Sequence, residues 1–182
     1  MLASGCSSYG QSAYADYFRV LHDTFSTLFV SSRVSFSQAA ATPYPTIGYR
    51  IDGGAENMLV LATDTQGTLL WTSASHIVIQ TRDGRINRTV GLPHDVAALN
   101  PAGGKPLPPP IAARNGTFTS QRIADFPDIG AYSVTISCVT SLEGRQVVKI
   151  LERSIPTLRI VETCRAPSLD WHFRDIYWVD AD

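Results

Sequence analysis

Residues 71–93, WTSASHIVIQTRDGRINRTVGLP, decide how this chain is read. The apolar run Ile77-Val78-Ile79 leads into Arg82-Asp83-Gly84, and the chain leaves through Arg85, Ile86 and Val90. Asp-Gly supplies the positive-φ residues of a tight turn whose twist suits paired strands. Residues 76–81 are therefore expected to pair with 85–90, and Gly91-Leu92-Pro93 to end the ladder. Turns this short, with no helix between strands, dictate antiparallel pairing.

The same pattern extends both ways. Upstream, Ile47, Tyr49 and Ile51 alternate, Asp52-Gly53-Gly54 turns, and 58–63 pairs with 68–72 across 64–67. Downstream, 118–126, 132–140, 146–153, 158–164 and 171–179 read as strands, with Glu143-Gly144 and Ser154-Ile155-Pro156 as turns between them. Residues 96–99 are too short to assign. The stretch 100–110, NPAGGKPLPPP, reads as a surface loop, because proline donates no ladder hydrogen bond.

Near the N-terminus, Tyr14, Tyr17, Phe18, Leu21, Phe25, Leu28 and Phe29 form one helical stripe after a Ser12 N-cap, predicting a helix over 12–29 packed on a sheet. Residues 37–41 predict a further helical turn, ended by Thr42-Pro43-Tyr44-Pro45. The fold class is mainly β: an antiparallel meander curled into a half-barrel or sandwich, with one N-terminal amphipathic helix packed on it. Residues 1–11 read as a lipobox remnant and tether, and 12–182 as a single β-rich domain.

Composition narrows the function. Of 182 residues, 44% are hydrophobic and 17% charged, with a net charge of −1, so a globular core is expected and nothing points to nucleic acid. No apolar run approaches the roughly 18 residues of a membrane-spanning helix. No nucleophile elbow, HExxH, P-loop or CxxC occurs, and His22, His76, His94 and His172 lack metal-ligand spacing. Glu56, Asp64, Asp83, Glu143, Glu152, Asp175 and Asp180 form no recognisable acid/base pair. The sequence is read as non-enzymatic, with no cofactor and no metal.

Three features remain. Cys6 follows Leu2-Ala3-Ser4-Gly5, the small-residue context of a lipidated cysteine. Cys138 and Cys164 share the core parity of their strands, and two readings stand: a disulfide or two buried thiols. In a simple meander they would lie two strands apart, roughly 9–10 Å, beyond the roughly 7 Å reach of a disulfide. Finally, Arg82, Asp83, Arg85 and Arg88 crowd a hairpin tip near Trp71. An aromatic face beside planar hydrogen-bonding groups is what sugar recognition needs. The alternative is a solvated tip with its tryptophan in the core. Trp171, Tyr177 and Trp178 pose the same choice.

The run Gly84-Arg85-Ile86-Asn87-Arg88-Thr89-Val90-Gly91-Leu92-Pro93, followed far downstream by Glu162, Cys164, Trp171 and Tyr177-Trp178-Val179-Asp180, resembles the YjbF/GfcB family of bacterial outer-membrane lipoproteins, and Leu2-Ala3-Ser4-Gly5-Cys6 accords with it. The resemblance implies a protein held on the outer membrane by a lipid on Cys6 and facing the periplasm. It also implies a role in exopolysaccharide or capsule production or export, with polysaccharide or an outer-membrane secretion protein as partner. The competing reading is a lipid or acyl-chain carrier with a half-barrel cavity. A purely hydrophobic cavity would favour the carrier, and an aromatic groove with convergent polar groups would favour glycan.

Overall fold

The structure, a computed structural model, describes residues 33–181. The expected helix over 12–29 and the anchor at Cys6 lie outside the described residues. The chain enters through a short helix, α1 (Phe36–Ala41). Ser35 caps it by accepting from the Gln38 backbone N–H, while the Gln38 side chain accepts from the Ser35 backbone.

Ten strands follow among the described residues, in two five-stranded antiparallel sheets. Sheet one holds β1 (Thr46–Tyr49), β2 (Asn57–Thr65), β3 (Thr68–Thr72), β4 (Val78–Arg82) and β5 (Arg85–Val90) in sequential order. Its hairpins turn at Gln66-Gly67 (φ 52° and 78°) and at Asp83-Gly84 (φ 50° and 76°), both left-handed pairs that match strand twist. Leu59, Trp71 and Ile79 form its core, and the Trp71 indole N–H donates to Thr81 Oγ1 at 2.9 Å.

Sheet two holds β6 (Ala98–Pro101), β7 (Phe118–Phe126), β8 (Ala131–Ile150), β9 (Arg153–Ala166) and β10 (Trp171–Asp180) in the order β10-β9-β8-β7-β6, and one of the two sheets curls as a half-barrel. The meander is thus broken into two sheets at the Gly91-Leu92-Pro93 stop. The short stretch after it does become a strand, β6, at the edge of sheet two, where Pro101 is tolerated. The proline-rich excursion is not surface throughout: Pro110 and Ala113, in a 3-10 turn over Pro110–Asn115, are buried.

One expectation fails with consequences for the cysteines. Residues 132–140 and 146–150 are not two strands but parts of the single strand β8, 20 residues long, and the rest of the expected strand 146–153 is the turn and the first residue of β9. Glu143-Gly144 is no turn; the β8–β9 register merely shifts there, between Leu142 and Gly144. The reversal comes later, at Leu151 (φ 46°) and Glu152 (φ 70°). Ser154-Ile155-Pro156 lies inside β9, and Pro156 falls one residue beyond the last β10 partner, Thr157, so its missing N–H interrupts no ladder there. With two strands merged, Cys138 and Cys164 become direct partners on adjacent strands. Their Cα atoms lie 4.1 Å apart and their sulfurs are bonded at 2.05 Å. They sit in a core with Ala124, Val134, Ile136 and Ala166.

Candidate functional site

Strand parity concentrates charge inside sheet two. On β9, Leu158, Ile160, Glu162, Cys164 and Ala166 alternate onto the buried face. Four of these are apolar; Glu162, fully buried, is the exception. On β7 the buried positions Ser120, Arg122 and Ala124 likewise include one charge. Register then aligns Thr140 of β8 and Asp175 of β10 as the two cross-strand partners of Glu162. Tyr177, opposite Ile160, lies diagonally beside it.

Arg85 completes the cluster from sheet one. Its side chain is only 5% exposed. Its guanidinium forks onto Glu162, Nη2 to Oε1 at 3.0 Å and Nε to Oε2 at 3.4 Å. Nη1 donates to the Pro108 carbonyl at 2.7 Å, and the cation sits 5.8 Å from the centre of the Tyr177 ring. Thr140 Oγ1 donates to Oε1 at 2.8 Å, Tyr177 OH to Oε2 at 3.1 Å, and Arg122 Nη2 to the same oxygen. Four side chains from four strands in two sheets thus converge on one carboxylate.

The electrostatics follow. Burial raises the Glu162 carboxyl, but hydrogen bonds and charge from Arg85 and Arg122 outweigh it and hold the pKa at about 2. Asp175 goes the other way: burial, then the facing Glu162 carboxylate, push it up. Burial and both carboxylates push the Tyr177 phenol up as well.

Above this floor lies a cavity of about 730 Å³ between β5, the connection after it, and residues of β6, β7, β8 and β10 of sheet two. Arg85, Arg122, Asp175 and Tyr177, with Thr89, His94 and His172, form its polar part, and Leu99, Phe126, Ile136 and Phe173 are among its apolar walls. Trp171 stands at the mouth, 39% exposed, with its ring edge-on to Phe126 at 5.1 Å. The connection is pinned by Asp95, whose carboxylate accepts from Thr89 Oγ1 and from the N–H groups of Gly91 and Leu92 at 2.9–3.1 Å. Gly91 has φ 86°, and a Cβ there would meet the His76 carbonyl at 2.9 Å, so only glycine lets the chain pass. Leu92 is thereby set into the cavity wall.

The residues singled out at the hairpin therefore divide. Arg82, Asp83 and Arg88 are exposed at or beside the tip, as expected. Arg85 is not: the reading of four solvated tip charges is corrected by its burial beneath the sheet. Trp71 is buried in the core of sheet one and lines no cavity described here. Trp171 lines the cavity, whereas Trp178, 47% exposed, lies away from it and donates to Gln146 Oε1 at 3.0 Å. Tyr177, named with Trp171 and Trp178 as a candidate sugar contact, does line the cavity, whereas Arg122, Thr140 and Glu162 were not singled out from the sequence as site residues. The signal was available in Arg122 and Glu162, charges on the buried parity of otherwise apolar strands.

The arrangement gathers both halves of the sequence pattern around one cavity. Residues 23–182 match the family described as "Group 4 capsule polysaccharide lipoprotein gfcB, YjbF". The chain belongs to the YjbF family. Among its relatives, the "Uncharacterized lipoprotein GfcB" of Escherichia coli (strain K12) is 24% identical over 183 residues, spanning 100% of this chain and 82% of that protein. The "Uncharacterized lipoprotein YjbF" of the same organism is 22% identical over 140 residues, 77% of this chain and 65% of its own length. The crystal structure of the hypothetical lipoprotein YmcC from Escherichia coli (K12) shares the fold, with a TM-score of 0.69 at 22% identity over 95% of this chain and 85% of that one. In this YjbF-family chain, Arg85 of the first motif and Glu162 of the second are the two halves of one buried ion pair.

Proposed function

We propose that this chain is a non-enzymatic envelope lipoprotein, anchored through Cys6 to the outer membrane and facing the periplasm, that supports capsule or exopolysaccharide production or export. The observation that carries this reading is the family match over 23–182, together with two relatives named as lipoproteins. The site accords with binding more than with turnover. Glu162 is saturated by Arg85, Arg122, Thr140 and Tyr177 and held near pKa 2, so it is a poor base at neutral pH. An acyl-chain carrier needs an apolar cavity throughout, and this one has ionisable groups on its floor. An oxidising compartment would also maintain the Cys138–Cys164 bond.

The test is genetic and runs in the native host. Removing the gene should lower cell-surface polysaccharide, and restoring the wild-type chain should return it. A Cys6→Ser precursor should leave the membrane fraction and fail to restore output. Normal polysaccharide in the deletion strain would end this reading.

A further inference from the structure

The cavity over Glu162 holds a feature that the ion cluster does not explain. Arg122 is 3% exposed, lines the cavity, and spends Nη2 on Glu162. Its Nε–H has no hydrogen-bond partner among the described residues. This Nε–H is sealed from solvent, so an acceptor in the cavity reaches it only if the floor shifts; until then it is a buried donor left unmatched. Asp175 brings an acceptor to the same floor. Trp171 offers an aromatic face at the mouth, with Phe126 against it.

These parts select a ligand class. A free anion would meet Arg85 and Arg122, but Glu162 beneath them already pairs with both guanidiniums, and Asp175 adds a carboxyl to the lining. An acyl chain would lie against the Arg85 and Arg122 guanidiniums and the Asp175 carboxyl, whose polar partner is Tyr177, and would match none of them. A pyranose ring uses everything present: its hydroxyls both accept and donate, and its C–H face stacks on an aromatic ring. A volume of about 730 Å³ lies within the range of small-molecule sites and takes one or two such rings.

We propose that this cavity is a saccharide-binding site, with Trp171 as its stacking wall and Arg122 and Asp175 as its hydroxyl partners. The site deepens the envelope role proposed above and rests on it for the source of the sugar, but its chemistry is testable on the isolated chain. Of the two tryptophans named with the hairpin charges as contacts to sugar or partner elsewhere on the surface, Trp71 is buried and Trp178 lies off the cavity; both become internal controls.

The chain has three tryptophans, hence three indole N–H signals in a nitrogen-15 NMR spectrum. The probe is a mixture of short oligosaccharides from partial hydrolysis of the host's own surface polysaccharide, with palmitate as the apolar comparison. Saturable movement of the Trp171 signal with oligosaccharide, while Trp71 and Trp178 stay still, supports the site. Trp171→Ala and Asp175→Asn, each shown to stay folded, should weaken binding about tenfold, and Trp178→Ala should leave it unchanged. If those variants unfold, the wild-type signal map still decides. Movement of Trp178 alone, no saturable movement, or movement with palmitate only overturns the proposal.

The two readings fail separately. A deletion strain poor in polysaccharide, with no Trp171 response, overturns the cavity assignment and leaves the envelope role. A clear Trp171 response with normal polysaccharide in the deletion strain upholds the site and removes the envelope role.

Discussion

Sheet one buries Leu59, Trp71 and Ile79, and the one polar atom of that core, the Trp71 indole N–H, is matched by Thr81. Sheet two buries a disulfide and a carboxylate that pairs with its own Arg122 and with Arg85, the one charge that sheet one, among the described residues, sends into the interior. The first is stabilised in proportion to the apolar area it removes from water. The second carries groups whose desolvation roughly cancels their attraction, so apolar replacements of similar volume would often serve stability as well. Stability alone therefore does not account for the charges in sheet two. What they do is fix position: the bidentate Arg85–Glu162 contact ties β5 of one sheet to β9 of the other at one register, beneath the cavity.

The contrast can be broken most sharply at Glu162. Glu162→Gln leaves Arg85 and Arg122 buried without a counter-charge, and should cost about 3–5 kcal/mol in denaturant unfolding. A loss below about 1 kcal/mol would mean that water already shields the cluster. Next comes the disulfide. Replacing Cys138 and Cys164 together by Ala opens a loop of 26 residues' separation and should cost about 3 kcal/mol under non-reducing conditions. Equal stability with and without reductant would show that the wild-type sulfurs are not bonded in solution.

Acid should separate the two carboxyls of sheet two. The folded pKa of Glu162 is depressed from 4.5 to about 2. Its contribution is therefore present above pH 4.5 and lost as pH falls towards 2, on the order of 3 kcal/mol. Asp175 has a raised folded pKa, so its penalty is greatest when it is ionised and is relieved as pH falls towards its ordinary value of 3.8. Melting temperature should rise slightly on mild acidification, then drop steeply below pH 4.5. Asp175→Asn should remove the rise, and Glu162→Gln the drop. The smallest effect belongs to the hairpin tip: Arg82, Asp83 and Arg88 replaced together by Ser should change stability by no more than about 0.5 kcal/mol, because all three are exposed.

The same division explains what could be read from the chain before its structure. The Asp83-Gly84 hairpin and strand β7 were legible because turn chemistry and period-two alternation are local. The β8–β9 reversal was not. It turns on Leu151 and Glu152, neither of a type that favours positive φ, while Glu143-Gly144 carries a turn signal but sits in mid-strand. That misplacement alone put the cysteines two strands apart. At the site, Arg85 was taken for a tip charge because it flanks a turn, and the element that buries it, sheet two, comes later in the chain. Glu162 and Arg122 could have been paired by asking what satisfies a charge on a buried parity. Thr140 could not, since its role depends on register between strands; Tyr177 could be named as an aromatic candidate, but not its hydrogen bond to Glu162.

A double-mutant cycle on Arg85 and Glu162 tests the central claim, that these two residues act together to bind sheet one to sheet two. Arg85→Met, Glu162→Gln and the double variant would be unfolded in urea alongside the wild type. The double variant is expected to lose at least about 2 kcal/mol less than the two single losses added together, since each single change strands the other charge. Losses that add within about 0.5 kcal/mol would contradict the claim and leave the two groups as independent neighbours.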